Sequence, residues 1–110
     1  MIAFDYKGTL DDHPLLREWV KRAKKEGQKP VVISALAPND KDDYHSRAKE
    51  IENLGLDIPY YICEYTGKHY NGGLEKAKIM KKLGIKVLVD NDPEFIKAVN
   101  DEGLEGLLVE

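Results

Sequence analysis

Apolar residues in this chain gather in five short runs, and amphipathic stretches separate them. The runs are Met1-Ile2-Ala3-Phe4, Pro30-Val31-Val32-Ile33, Pro59-Tyr60-Tyr61-Ile62-Cys63, Lys86-Val87-Leu88-Val89 and Gly106-Leu107-Leu108-Val109. Short runs that are apolar throughout, rather than alternating, predict strands buried on both faces. Between the first two, Leu15, Leu16, Trp19, Val20 and Ala23 recur at helical spacing. Lys21, Arg22, Lys24 and Lys25 take the opposite face and the last turn, where they suit a solvated helix face and its dipole. Asp11-Asp12-His13-Pro14 predicts the start of that helix, with an Asp cap and Pro in the first turn, and Gly27 its end.

The same punctuation recurs. Pro38-Asn39-Asp40 opens a second helix with Tyr44, Ala48, Ile51 and Leu54 inward and Gly55 at its end. Leu74 to Leu83 is a third, stopped by Gly84. Asp92-Pro93 starts a fourth, with Asp92 as its cap, Phe95, Ile96 and Val99 inward and Gly103 closing it. The order βαβαβαβαβ predicts an α/β fold: a three-layer, doubly wound, Rossmann-like parallel sheet of about five strands. Right-handed crossovers leave a few winding orders open.

Composition narrows the class. At 110 residues the chain makes one domain, 1–110, and 42% hydrophobic with 34% charged residues is a globular balance. A net charge of −3 gives no basic field to attract nucleic acid. The single cysteine, Cys63, excludes a disulfide framework and reads as a small buried hydrophobe in its strand. No apolar run approaches the roughly 20 residues of a membrane span. Asp5 and Lys7 interrupt the first apolar run, so it does not read as a signal peptide. The expectation is a cytoplasmic protein with no membrane partner.

Candidate chemistry sits at the strand ends. In an open parallel sheet, ligands bind beyond the carboxyl ends of the strands. Asp5, Ser34 and Asp90 each end a run, and Lys76 falls in the first turn of the third helix. Two carboxylates there can hold a hard cation such as Mg2+, and a carboxylate can act as a nucleophile. Ser34 offers a hydroxyl at a turn whose N–H groups can face an anion. The stretch from Glu64 to Gly73, rich in Gly, Tyr and polar groups, reads as a loop at the same edge and is the best internal candidate for substrate contact. His13, His45 and His69 are scattered along the chain, and His13, near the start of the first helix, is the one expected to lie close to Asp5.

These residues carry a resemblance to the haloacid dehalogenase-like (HAD) superfamily, most of whose members are phosphatases. Asp5-Tyr6-Lys7-Gly8-Thr9-Leu10 resembles that family's first motif, Asp-x-Asp-Gly-Thr-Leu. Val31-Val32-Ile33-Ser34 resembles the second, Lys76-Ala77 the lysine of the third, and Val87-Leu88-Val89-Asp90-Asn91-Asp92 the acidic strand end of the fourth. The resemblance implies a phosphatase or phosphotransferase with Asp5 as nucleophile. It implies Mg2+ held by Asp5, Asp90 and the backbone carbonyl of Lys7. Ser34 and Lys76 would hold the phosphoryl group, with Lys78 and Lys68 as alternatives for the lysine.

Two positions depart from the pattern. Lys7 replaces the acid–base aspartate, and Asn91 stands where many members have another Asp. A lysine, with a reference pKa of about 10.4, is a poor base unless desolvated. At about 4 Å from a bound cation it would be repelled by roughly 4 kcal/mol at an effective dielectric of 20. Either its ammonium stands in for part of the metal's charge, or it points away and only its carbonyl is used. The alternatives are a binding module that has lost turnover and a hydrolase that works without metal. Neither Leu10 to Lys29 nor Ala35 to Gly73 has room for the cap domain usual in the family. A capless site suits a bulky or macromolecular phosphorylated substrate, or one covered by a partner subunit.

Overall fold

A computed structural model describes residues 1–110. Its strands are β1 (Ile2–Phe4), β2 (Pro30–Leu36), β3 (Tyr60–Glu64), β4 (Val87–Asp90) and β5 (Glu105–Leu108), and its helices are α1 (Pro14–Lys25), α2 (Tyr44–Asn53), α3 (His69–Leu83) and α4 (Pro93–Asp101). All four strand pairings are parallel, in the order β3-β2-β1-β4-β5. The expected three-layer α/β architecture is therefore present, and the winding order is now fixed. From β1 the chain winds outward to β2 and β3, then returns to β4 and β5 on the other side. β1 and β4, which carry Asp5 and Asp90, flank the point where the winding reverses. That is where an open sheet leaves a crevice.

Successive strand residues face opposite sides of a sheet. Ala3, Val31, Ile33 and Leu88 pack with Ala77 and Met80 of α3 and Ile96 and Val99 of α4. Phe4, Val32 and Val89, one residue on, pack with Val20 of α1 and Ile51 of α2. This alternation sends Asp5 and Asp90 to the α3/α4 side and Ser34 to the α1/α2 side. No helix is long and apolar enough to cross a membrane.

Three boundaries differ from the sequence expectation. α2 starts at Tyr44, because Asp43 and Ser46 form a reciprocal cap: Ser46 N donates to Asp43 Oδ1 at 2.8 Å and Asp43 N to Ser46 Oγ at 3.0 Å. Tyr44 consequently lies outside and is 57% exposed. β2 runs two residues beyond Ser34 to Leu36, because Ser34, Ala35 and Leu36 stay paired with β3. α3 begins at His69, five residues before Leu74, and takes in Gly72 and Gly73. Those glycines serve helix packing: a Cβ on Gly72 would sit 2.6 Å from the Phe95 ring, and one on Gly73 2.7 Å from the Phe95 carbonyl. Asp92 caps α4 as expected, accepting from Glu94 N at 2.9 Å and Phe95 N at 3.3 Å. At the start of α1, Asp11 serves the preceding turn instead, accepting from Gly8 N at 2.7 Å, and His13 holds the cap position.

Candidate active site

The chain leaves β1 still extended at Asp5, whose N–H donates to the Val89 carbonyl at 2.9 Å. A single wide turn follows: Leu10 N reaches the Asp5 carbonyl at 3.4 Å and Asp11 N the Tyr6 carbonyl at 3.2 Å. Bonds closing over five residues make a loose ring, and inside it Lys7 and Gly8 depart from helical geometry. Gly8 has φ +78°, and a Cβ there would collide with the Asn91 amide, so both conformation and space require glycine.

The turn points the Lys7 carbonyl inward and its side chain outward. The ammonium is 67% exposed and stands 4.0 Å from Asp11 Oδ2. With its amide nitrogen inward, Asn91 donates to the Lys7 carbonyl at 3.1 Å, to Asp5 Oδ2 at 3.2 Å and to Thr9 Oγ1 at 3.2 Å. Thr9 Oγ1 donates in turn to Asp5 Oδ2 at 3.0 Å.

Lys76 closes the other side. Its Nζ lies 2.7 Å from Asp5 Oδ1 and 2.7 Å from Asp90 Oδ2, and its side chain is fully buried. It also stands 4.7 Å from the centroid of the Phe95 ring, a favourable place for a desolvated cation. Asp90 Oδ1 accepts from Asp92 N at 3.0 Å. Burial pushes the Asp5 carboxyl up to about 7; Lys76 pulls it down and Asp90 adds to the rise. Burial also works against the Lys76 ammonium, but the two carboxylates outweigh it and hold it above the ordinary lysine range. Two buried carboxyl groups thus share one buried ammonium.

No protein-family model and no curated protein matches this chain. The site is therefore read from its own groups. Asp5, Lys76 and Asp90 meet in one cluster, with the Lys7 carbonyl at its edge. Ser34 does not join it. Its buried hydroxyl accepts from Arg47 Nη1 at 2.7 Å on the α2 side, and the next residue, Ala35, lines the cleft above Asp5. Arg47 is itself buried, with Nη2 3.1 and 3.0 Å from the Asp40 oxygens and Nε 3.0 Å from Asp42 Oδ2. Lys78 pairs with Glu75 at 3.0 Å in solvent, and Lys68 precedes α3, so neither shares the Asp5 contact.

The open cleft above Asp5 measures about 470 Å³ and is lined by Lys7, Ala35, Asp40, His69 and Asn91 among others. A second cleft of about 680 Å³ shares Asp40 and Tyr65 with it and runs along Thr66, Asn71 and Glu75. The residues sequence reading passed over are Thr9 and Arg47. Thr9 lay inside a quoted motif without a role, and Arg47 looked like a polar helix position. His69 was named as part of the presumed loop expected to contact substrate.

The implied Mg2+ can be tested against these groups. No group of three or more His, Cys, Asp or Glu side chains is arranged to hold a metal. Oxygens of Asp5 and the Lys7 backbone nevertheless gather within 3.2 and 3.1 Å of the Asn91 amide. An all-oxygen set of few protein ligands, completed by water, is what Mg2+ accepts. These oxygens are of the kind that ion takes, and in this structure they accept from the Asn91 amide and the Lys76 ammonium.

Proposed function

We propose that this chain is a HAD-like phosphatase or phosphotransferase that uses Asp5 as nucleophile. The observation that carries the reading is the buried Lys76 ammonium, 2.7 Å from both Asp5 and Asp90, at the winding reversal of a parallel sheet. A lysine placed there keeps Asp5 oriented and adds positive charge where a phosphoryl group must approach a carboxylate. Positioning and charge neutralisation are most of what phosphoryl transfer asks of a protein. Asp5, Asp90 and the Lys7 carbonyl would hold Mg2+, which would screen the phosphoryl oxygens. Thr9 and Asn91 fix Asp5 Oδ2, which leaves the carboxylate one orientation toward the cleft. The open cleft suits a phosphoester carried on a bulky group.

The test is a broad phosphoester panel with and without Mg2+, together with trapping of an acyl-phosphate. Expected are Mg2+-dependent hydrolysis, a phosphorylated Asp5 by mass spectrometry, and loss of both in Asp5→Asn. No turnover and no adduct would overturn the reading.

A second reading rests on the outward Lys7, which leaves position 7 without a carboxyl in the cleft. On this reading the chain binds phosphate groups without turning them over. Phosphate binding that protects the fold, with no adduct on Asp5, would select it.

A further inference from the structure

A phosphoester with an alkyl leaving group needs a proton donor at the departing oxygen, and hydrolysis of an acyl-phosphate benefits from a base that activates water. Lys7 does not serve, because its side chain is exposed and its ammonium is turned to Asp11, 4.0 Å away. Among the other groups lining the cleft, Asp40 accepts at both oxygens from Arg47 Nη2. Asp92 is engaged at both oxygens, by the N–H groups of α4 and by His69. We infer that His69 is the catalytic proton donor and acceptor of this site, with Asp92 as its positioning residue. The inference rests on the reading of Asp5 as nucleophile.

His69 and Lys76 are seven residues apart on α3. Seven residues are about two turns, so both side chains leave the same face, roughly 10 Å apart along the axis. Helical side chains lean toward the N-terminus, so Lys76 reaches up its own helix toward His69. The Phe95 ring links the two: Lys76 Nζ lies 4.7 Å from its centroid and the His69 ring 6.0 Å. Asp5 and His69 line the same cleft, and Lys76 stands beside Asp5. In-line displacement at phosphorus drives the leaving oxygen away from Asp5, into the cleft that His69 lines.

The imidazole is also oriented. His69 Nδ1 is 3.0 Å from Asp92 Oδ2. A carboxylate can only accept, so Nδ1 carries the hydrogen and Nε2 is the working nitrogen. Asp92 Oδ1 is fixed by capping α4. The ring packs edge-on near Tyr65, centroids 6.2 Å apart at 76°, and against Phe95 at 41°. A carboxylate and two aromatic rings thus fix an imidazole that is otherwise 62% exposed.

The protons balance. As Asp5 forms its bond to phosphorus, the ester P–O bond breaks and the His69 imidazolium gives its Nε2 proton to the departing oxygen. The alcohol leaves. Water then attacks the aspartyl-phosphate, neutral Nε2 takes its proton, and the Asp5–phosphorus bond breaks. Phosphate leaves, and Asp5 and the imidazolium are restored.

The experiment compares two substrates that differ in their need for an acid: 4-nitrophenyl phosphate, whose leaving group departs unaided, and a primary alkyl phosphate. In His69→Gln, kcat for the alkyl ester should fall by about 100-fold or more while kcat for the aryl ester stays within about fivefold. Glu94→Gln, on the same cleft, should match wild type with both. Asp92→Asn keeps a capping side chain and should lower kcat for the alkyl ester without raising KM. Its imidazole 15N spectrum should lose the Nδ1-protonated signature seen in wild type. Equal losses on both esters, no loss on either, or the alkyl-specific loss in Glu94→Gln would overturn the assignment while leaving Asp5 as nucleophile. A wild type that hydrolyses only the aryl ester also removes His69 from the mechanism. A wild type that hydrolyses neither and forms no adduct overturns the Asp5 reading, and His69 with it.

Discussion

Arg47 Nη1 donates to Ser34 Oγ at 2.7 Å, on the face of the sheet opposite Asp5. Arg47 therefore anchors the end of β2 and the Asp40–Asp42 turn by tying them to α2. Arg47→Met should destabilise the fold by about 3–5 kcal/mol, since it leaves buried polar partners uncompensated. Ser34→Ala should cost about 1–3 kcal/mol by leaving one guanidinium hydrogen unpaired. Urea unfolding measures both. If Ser34→Ala leaves stability unchanged, this contact does not hold the strand end.

Lys76→Met should cost as much as Arg47→Met and more than Ser34→Ala, because two buried carboxyl groups lose their shared cation. A loss of about 3–5 kcal/mol is expected. Mg2+ should raise the melting temperature of the wild type, and Asp5→Asn should abolish that rise. A melting temperature indifferent to Mg2+ in the wild type would speak against a cation at these oxygens.

Gly72→Ala places a methyl 2.6 Å from Phe95 and 2.8 Å from Tyr65, the two rings that flank His69. Overpacking of this kind costs about 1–3 kcal/mol. The variant should melt lower and lose alkyl phosphatase activity beyond its loss on aryl esters, because the imidazole moves with the rings. Thermal melts and the two-ester comparison check both effects.

Lys7→Asp puts a carboxyl on a residue whose carbonyl already faces the site. Turnover should rise in the presence of Mg2+. In a His69→Gln background the new carboxyl should leave alkyl ester hydrolysis unrestored, since the side chain at position 7 leaves the turn outward, away from the leaving oxygen. Steady-state kinetics of the four proteins decide it.

Much of this was legible in the chain. The runs around Val32 and Leu88 announced buried parallel strands, and Asp5 and Asp90 announced a carboxyl edge. Ser34 ends its run at the same edge, but an edge has two faces, and the one-residue alternation through Val32 and Ile33 turns it toward α2. The cues at Gly72 and Gly73 pointed to a loop, because glycine marks both turns and close helix contacts and sequence does not separate the two. That misreading hid the direction of His69, which opens α3 as its first residue. Arg47 was hidden for a different reason: its burial depends on three partners, Ser34, Asp40 and Asp42, that only tertiary structure brings together.

The reversal of winding between β1 and β4 has a consequence for how the site comes into being. Asp5 leaves the ribosome some 85 residues before Asp90, with Lys76 between them. Until α3 and β4 dock against β1, the would-be nucleophile has neither its ammonium nor its companion carboxyl group. A nascent or partly unfolded chain therefore carries the reactive aspartate in a disarmed state. Chemistry at this position is a certificate that the sheet has closed from β1 to β4.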